Sequence, residues 1–408
     1  MINVGIDIRI LSKGTKTGVE NYVTNLLLHL LSKDKSINYK LFYSGFKQLK
    51  GNYPWPKLKN VEVKSFKIPN RFLDLSLRFL KFPKIDKLVG DVDIFLSPHF
   101  LLLPVTKKTK TIVVFHDLSF VRFPEFFSFP KMLWHKFVYP QRQARNADLI
   151  VAVSNSTKED LINLYQIPEE KIRVIYSAAG EEFMPIKKED PNLLRTKEKY
   201  HLPDKFILYF GTIEPRKNIL ALIEAFEKIK AKKIDIPLRV RWNGFEGFIC
   251  KNNKKVISLD DLKLVIAGNK GWLYRDVFNK IRNSLFRKDI IVTGFIEEND
   301  RPYLYNLSEL FVYPSFFEGF GFPPLEAMAC GVPALVSNRS SLAEVVGNAA
   351  LMFNPHNIDE IAFAIKEVLE NQNLRNILIT RGLKRARNFH WDKTAESFLK
   401  LFEELCSR

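Results

Sequence analysis

The chain has 408 residues, too many for one ordinary hydrophobic core, so two domains of roughly 150–200 residues are expected. Apolar residues make up 46%, aromatics 13% and charged residues 26%, a composition that excludes a disordered chain. Lys plus Arg (63) exceed Asp plus Glu (45), and the formal charge of +18 favours an anionic partner without choosing among nucleic acid, acidic lipid and a phosphorylated small molecule.

Residues 2–8 read as a buried strand with no leader sequence ahead of it. The polar loop that follows ends in Thr17-Gly18, before a helix with Val19, Tyr22, Val23, Leu26, Leu27, Leu30 and Leu31 at helical spacing. A glycine there lets the backbone approach a phosphate or an acceptor, and an ordinary glycine turn looks the same. Apolar runs at 40–43, 61–66, 93–96, 111–115, 149–153 and 173–176 read as further strands. Helical stretches separate several of them, one starting after Ser156 with Glu159 completing a capping box. Strands alternating with helices predict a largely parallel sheet covered on both faces.

Three features of this half carry chemistry to be weighed. The stretch from Arg71 to Phe82, followed by Lys84 and Lys87, mixes basic and large apolar residues. It suits either a helix packed on its own sheet or a contact with an anionic membrane surface. Asp91-Val92-Asp93 has the letters of a metal-binding Asp-x-Asp but precedes its strand, so a strand-entry turn is expected and no metal site. His116, at the end of a strand in Phe115-His116-Asp117, is open to a sugar contact as well as to a structural role.

Residues 186–203 are charged and proline-bearing and read as a linker. The expected division is an N-terminal domain over 1–185, this linker, and a second domain over 204–390, with a last helix in 391–408. In the second domain strands are expected at 206–210, 263–267, 290–293, 310–313 and 334–337, and helices at 217–230, 325–330, 358–371, 374–389 and 393–406. Residues 232–261 interrupt the pattern and read as a surface excursion. The three cysteines, Cys250, Cys330 and Cys406, show no pairing or metal-ligand spacing, as expected of reduced thiols in the cytoplasm. No run of about 18 apolar residues is present, so no membrane span is expected. Two successive α/β domains predict a ligand cleft where the carboxyl ends of their sheets meet.

The richest segment runs from Tyr313 to Gly331. Glu318, Gly319, Phe320 and Gly321 fall in a loop after a strand, and Phe322-Pro323-Pro324 leads into a helix that carries Glu326. Proline suits the first turn of a helix, and a helix N-terminus favours phosphate. A diphosphate there leaves Glu326 for a ribose diol and Glu318 for the sugar beside it. A second cluster, Phe210-Gly211-Thr212-Ile213-Glu214-Pro215-Arg216-Lys217-Asn218, crosses from strand to helix. Two cations at a helix start oppose its dipole unless an anion is near.

Together these residues resemble the retaining glycosyltransferases of family 4, which have the GT-B fold. The family's E-x(7)-E signature stands here as Glu318 and Glu326, and Gly294-Phe295-Ile296, Glu326-Ala327-Met328-Ala329-Cys330-Gly331-Val332-Pro333, Glu344-Val345-Val346-Gly347 and Phe389-His390-Trp391 also match its phrases. The resemblance implies two Rossmann-like doubly wound domains facing a central cleft, with the C-terminal helix crossing back to the N-domain. It implies that Glu326 binds the donor ribose, Glu318 the hexose, Arg216 and Lys217 the diphosphate, and that His116 touches the sugar. Gly211, Gly319, Phe320, Gly321 and Phe322 would line the donor site, with Thr17 and Gly18 as a phosphate or acceptor loop. Family members often place an arginine directly after the strand glycine, where this chain has Thr212. Arg216 beside Lys217 substitutes in the subgroup carrying Gly-Thr-Ile-Glu-Pro-Arg-Lys-Asn, much of which resembles mannosyltransferases of surface-polysaccharide assembly.

The expected activity is therefore transfer of a hexose, with GDP-mannose as the favoured donor, to a glycan or lipid-linked acceptor, with no metal or other cofactor. The expected location is the cytoplasm, peripheral at the inner membrane face. A phosphorylase or sugar-nucleotide epimerase on the same scaffold is the nearest alternative. A nucleic-acid-binding protein fits the charge but not the absence of a binding motif, so no nucleic-acid partner is expected.

Overall fold

The computed structural model describes residues 2–13, 18–45, 53–233 and 259–407. The chain forms two compact units, Met1–Ser177 with His390–Arg408, and Ala178–Phe389.

Among the described residues the first unit holds seven parallel strands: β1 (Asn3–Asp7), β2 (Asn38–Ser44), β3 (Val61–Phe66), β4 (Ile94–Ser97), β5 (Lys110–Phe115), β6 (Leu149–Ala152) and β7 (Ile172–Val174). Their order is β3-β2-β1-β4-β5-β6-β7. The order reverses between β1 and β4, which pair Val4 with Ile94 and Ile6 with Leu96. Val4, Ile6, Ile94, Leu96, Ile112 and Val114 are fully buried, as expected of strands covered on both faces. The helix Gly18–Lys33 buries Tyr22, Val23, Leu26, Leu27, Leu30 and Leu31, the stripe its spacing predicts. The C-terminal helix Trp391–Cys406 packs on it: the Trp391 ring meets Tyr22 at 5.7 Å, and Lys33 pairs with Glu396 at 2.9 Å. Thr394 donates to the Tyr176 carbonyl at 2.7 Å and Arg173 to Glu404 at 2.7 Å, which fixes the last helix to this unit.

The second unit holds β8 (Phe206–Phe210), β9 (Lys263–Ala267), β10 (Ile290–Gly294), β11 (Leu310–Tyr313), β12 (Ala334–Ser337) and β13 (Leu351–Phe353), in the parallel order β10-β9-β8-β11-β12-β13. The order reverses between β8 and β11, paired through Leu310–Ile207 and Phe311–Leu208. In open α/β sheets the crevice beyond the carboxyl ends of the strands at such a reversal is where ligands bind.

Two expectations are corrected. Residues 186–203 are not a linker. Asp190 caps a helix, Pro191–Lys199, with its carboxylate accepting from the Asn192 N–H and proline in the first position. Lys199 and Tyr200 bond Asp300 at 2.7 and 2.8 Å, and the Ile186 N–H bonds Asn306, so this segment is part of the second unit. The prolines mark a helix entry, and the boundary lies between Ser177 and Ala178. In the first unit, Ser154 rather than Ser156 opens the helix Asn155–Tyr165, because its hydroxyl accepts from the Thr157 N–H at 3.1 Å. Asp91-Val92-Asp93 leads into β4, with Asp93 accepting from the Asn3 N–H at 2.8 Å. Of the interruption at 232–261, residues 234–258 lie outside the described residues, as does Cys250. Among the described residues no helix is long and apolar enough to cross a membrane.

Candidate active site

Two loops meet at the reversal of the second sheet. After β8, Glu214 leads into a 3-10 turn, Pro215–Lys217, and Asn218 takes a left-handed conformation (φ 54°) before the helix Ile219–Lys230. This break is why the predicted helix at 217–230 starts later. The Asn218 amide bridges the Pro314 and Pro355 carbonyls at 3.2 and 2.8 Å, and the Phe316 N–H bonds the Arg216 carbonyl at 2.9 Å. The loop after β8 is thereby tied to the loop after β11.

This tie brings Arg216, Lys217 and Glu318 into one buried cluster. Lys217 Nζ donates to Glu318 Oε1 at 2.6 Å and to the Tyr313 hydroxyl at 2.7 Å. Arg216 Nη1 reaches Glu318 Oε2 at 3.0 Å and the Phe317 carbonyl at 2.6 Å, while its Nε and Nη2 both donate to Glu214 Oε1. Ser315 donates to Glu318 Oε1, and Ser340 accepts from the Glu318 N–H. Burial alone would raise the Glu318 pKa, but Arg216 and Lys217 outweigh it and hold the carboxyl at about 2. Burial, helped by Arg216, pushes Lys217 below the usual lysine range. Lys217 has three N–H donors and two hydrogen-bond partners among the described residues, Glu318 and Tyr313.

Glu326 lies on the helix Phe322–Ala329 and joins a separate nest. Its Oε1 accepts from Arg301 Nη2 at 2.5 Å and its Oε2 from the Tyr305 hydroxyl at 2.7 Å. Among the described residues the two glutamates share no hydrogen-bond partner. The helix start is also a thinner anion site than expected, because Pro323 and Pro324 fill its second and third positions and carry no N–H. Gly319, Phe320 and Gly321 form the turn between the glutamates, and the Ser341 hydroxyl holds it through the Glu318 and Phe320 carbonyls at 2.8 and 2.9 Å. Gly211 follows β8, with its N–H on the Ala267 carbonyl.

In the first unit His116 follows β5 half-buried, its ring edge-on to Tyr22 at 4.7 Å. Its Nε2 lies 2.8 Å from the Pro98 carbonyl, which can only accept, so Nε2 carries the proton and Nδ1 the lone pair. Burial lowers its pKa, so the ring is neutral at pH 7. Gly18 opens its helix exposed, and Thr17 lies outside the described residues.

Sequence reasoning missed Glu214, Tyr313, Ser315, Arg301 and Tyr305 as parts of these nests. Arg301 carries the signal that singled out Arg216 and Lys217, since it is a cation at the first position of a helix, Arg301–Leu307.

Residues 16–179 match "Glycosyltransferase Family 4" and residues 192–385 match "Glycosyl transferases group 1". O-antigen chain mannosyltransferase B of Escherichia coli is 30% identical over 314 residues, 76% of this chain and 74% of that protein. The chain belongs to glycosyltransferase family 4. It is a glycosyltransferase, and that relative is by name a mannosyltransferase of the O-antigen chain. The serotype-specific mannosyltransferase WbdA of E. coli is 33% identical over 72% of this chain, which spans 34% of that longer relative. Among solved structures, sucrose-phosphate synthase from Thermosynechococcus elongatus superposes with a TM-score of 0.73 over 100% of both chains at 17% identity. A glycosyltransferase from Rickettsia africae gives 0.70 over 99% and 98% at 18% identity. These likenesses show the fold: two Rossmann-like domains of the GT-B class.

Proposed function

We propose that this family 4 glycosyltransferase moves mannose from GDP-mannose to a glycan or lipid-linked oligosaccharide acceptor with retention of anomeric configuration. The observation that carries the reading is the Arg216–Lys217–Glu318 cluster at the reversal of the second sheet. The names of the relatives support mannose. Lys217 offers its remaining donor to the diphosphate, where charge grows as the glycosidic C–O bond breaks. Arg216 works through Glu318, because most of its donors are already given to Glu214, Glu318 and the Phe317 carbonyl. Glu318 stays ionised, and the remaining lone pair of its Oε2 accepts a hydrogen bond from a sugar hydroxyl. Both its oxygens are held by cations, which makes it a poor covalent nucleophile. The acceptor hydroxyl therefore attacks from the face the diphosphate leaves, and a leaving phosphate oxygen takes its proton. His116, neutral, offers Nδ1 as an acceptor to a sugar hydroxyl. No further cofactor enters this scheme.

The test is incubation with GDP-mannose, GDP-fucose, UDP-glucose and UDP-galactose, with and without a mannose-ended acceptor, with the product anomer read by NMR. An α-mannoside from GDP-mannose is expected. Transfer from a UDP-sugar instead, or a sugar phosphate as the product, would discard the reading.

The first unit supports peripheral attachment to an anionic membrane. The helix Asn70–Phe79 buries Leu73 and Leu77 on its own sheet yet leaves Phe72 at 69% and Phe79 at 72% exposure, followed by Leu80 and Phe82 at 73% and 65%. Phe79 meets Phe137 of the helix Phe129–Val138 at 6.4 Å, and that helix adds Phe129 at 80% exposure. Arg71, Arg78, Lys81 and Lys84 lie in the same stretch of sequence. Each basic residue near an anionic surface contributes about 1 kcal/mol, so neutralising all four is expected to weaken binding to acidic vesicles roughly 10²–10³-fold. Flotation with phosphatidylglycerol vesicles checks it, and a parent protein that stays in the bottom fraction sinks the idea.

A further inference from the structure

We infer that Arg301, with Tyr305, is a positioning device that sets Glu326 for a ribose diol and so gives the enzyme its preference for ribonucleotides. The inference rests on the reading that Glu326 takes the donor ribose.

Glu326 is almost enclosed, with its side chain 4% exposed. Among the described residues each of its oxygens accepts one hydrogen bond, from Arg301 at 2.5 Å and from Tyr305 at 2.7 Å. A carboxylate has about four lone-pair sites, so one remains on each oxygen, which suits the two hydroxyls of a cis-diol. An enclosed carboxylate keeps its rotamer only while its partners stay fixed. Arg301 is fixed by stacking: its guanidinium lies 4.9 Å from the Phe210 ring and 5.2 Å from the Phe183 ring. Tyr305 is fully buried and meets both rings, at 5.9 Å from Phe210 and 5.8 Å from Phe183. Phe210 ends β8, the strand that leads into the loop carrying Lys217. The strand end that bears the diphosphate cation therefore also clamps the cation behind Glu326. Arg301 opens its helix against the dipole, a placement that makes sense once Glu326 is its partner.

The experiment measures calorimetric affinities of the full chain for GDP and 2′,3′-dideoxy-GDP, with UDP and dideoxy-UDP in parallel, in the parent and in R301M, R301K and Y305F. The parent is expected to prefer the ribonucleotide about tenfold or more, the size of hydrogen bonds to a charged group. In R301M the preference shrinks below about threefold, while dideoxynucleotide affinity changes little. R301K restores part of it, because lysine supplies charge without the planar fork. An equal loss for both nucleotides means a structural role only and overturns the inference. If R301M does not fold, Y305F decides: a reduced preference supports the inference and an unchanged one overturns it. A parent that does not discriminate removes the ribose reading itself, a failure distinct from that of Arg301.

Discussion

Replacing Lys217 by alanine is expected to lower donor-saturated turnover about 10²–10³-fold, the cost of removing one preorganised donor from a developing negative charge. It is also expected to weaken the fold by about 3–5 kcal/mol, because Glu318 then stays buried with only part of its counter-charge. This second effect arises because Arg216 and Lys217 are not surface cations. Their side chains are only 12% and 9% exposed, and Lys217 is bonded to Glu318 and Tyr313. The double variant K217M/E318Q separates the two effects. With both charges gone, no carboxylate is stranded, and about 2 kcal/mol or more of stability should return. Turnover should not return, since the groups proposed to meet the diphosphate and the sugar are both still missing. Chemical denaturation and single-turnover kinetics on the three proteins read these quantities. Turnover in K217A within about threefold of the parent would remove Lys217 from the chemistry.

Much of this architecture is legible because it follows from periodicity. Runs such as Phe206–Phe210 and Leu310–Tyr313 are apolar throughout, which in a chain of alternating helices means a strand buried on both faces. The spacing of Glu318 and Glu326 and the cations at 216 and 217 are visible because their types conflict with a bare loop or helix start. The connections between them are not visible. That Glu318 joins Lys217 while Glu326 joins Arg301 depends on which strands are neighbours, and β8 and β11 are about a hundred residues apart in sequence. The same blindness turned 186–203 into a linker. Its prolines and charges are those of a capped helix entry, and residues far along the chain, Glu297, Asp300 and Asn306 among them, supply the partners that fold it down.

The position of the Arg216–Lys217 turn rests on how closely two strand ends approach, and Gly268 tests that. At Gly268, φ is +136°, and a Cβ there would fall 2.1 Å from the Gly211 carbonyl oxygen, a backbone atom that no rotamer change can move. The two ends are stitched further by Gly211 N–H on the Ala267 carbonyl at 2.9 Å, Ile213 N–H on Asn269 at 2.9 Å and Gly271 N–H on Ile213 at 3.0 Å. G268A must therefore part β8 from β9 just where the loop leaves for Lys217. A cost of about 3–5 kcal/mol is expected, backbone strain and overlap together, with a fall in donor affinity because the displaced loop carries Lys217. G294A is the control. Gly294 also has a positive φ, +75°, but a Cβ there meets nothing within 4 Å. Only the conformational cost remains, about 1 kcal/mol. Urea midpoints for the two variants give the comparison directly. If G268A loses no more than G294A, the strand ends are not in the tight register that holds the turn, and the placement of Lys217 against Glu318 loses its structural basis.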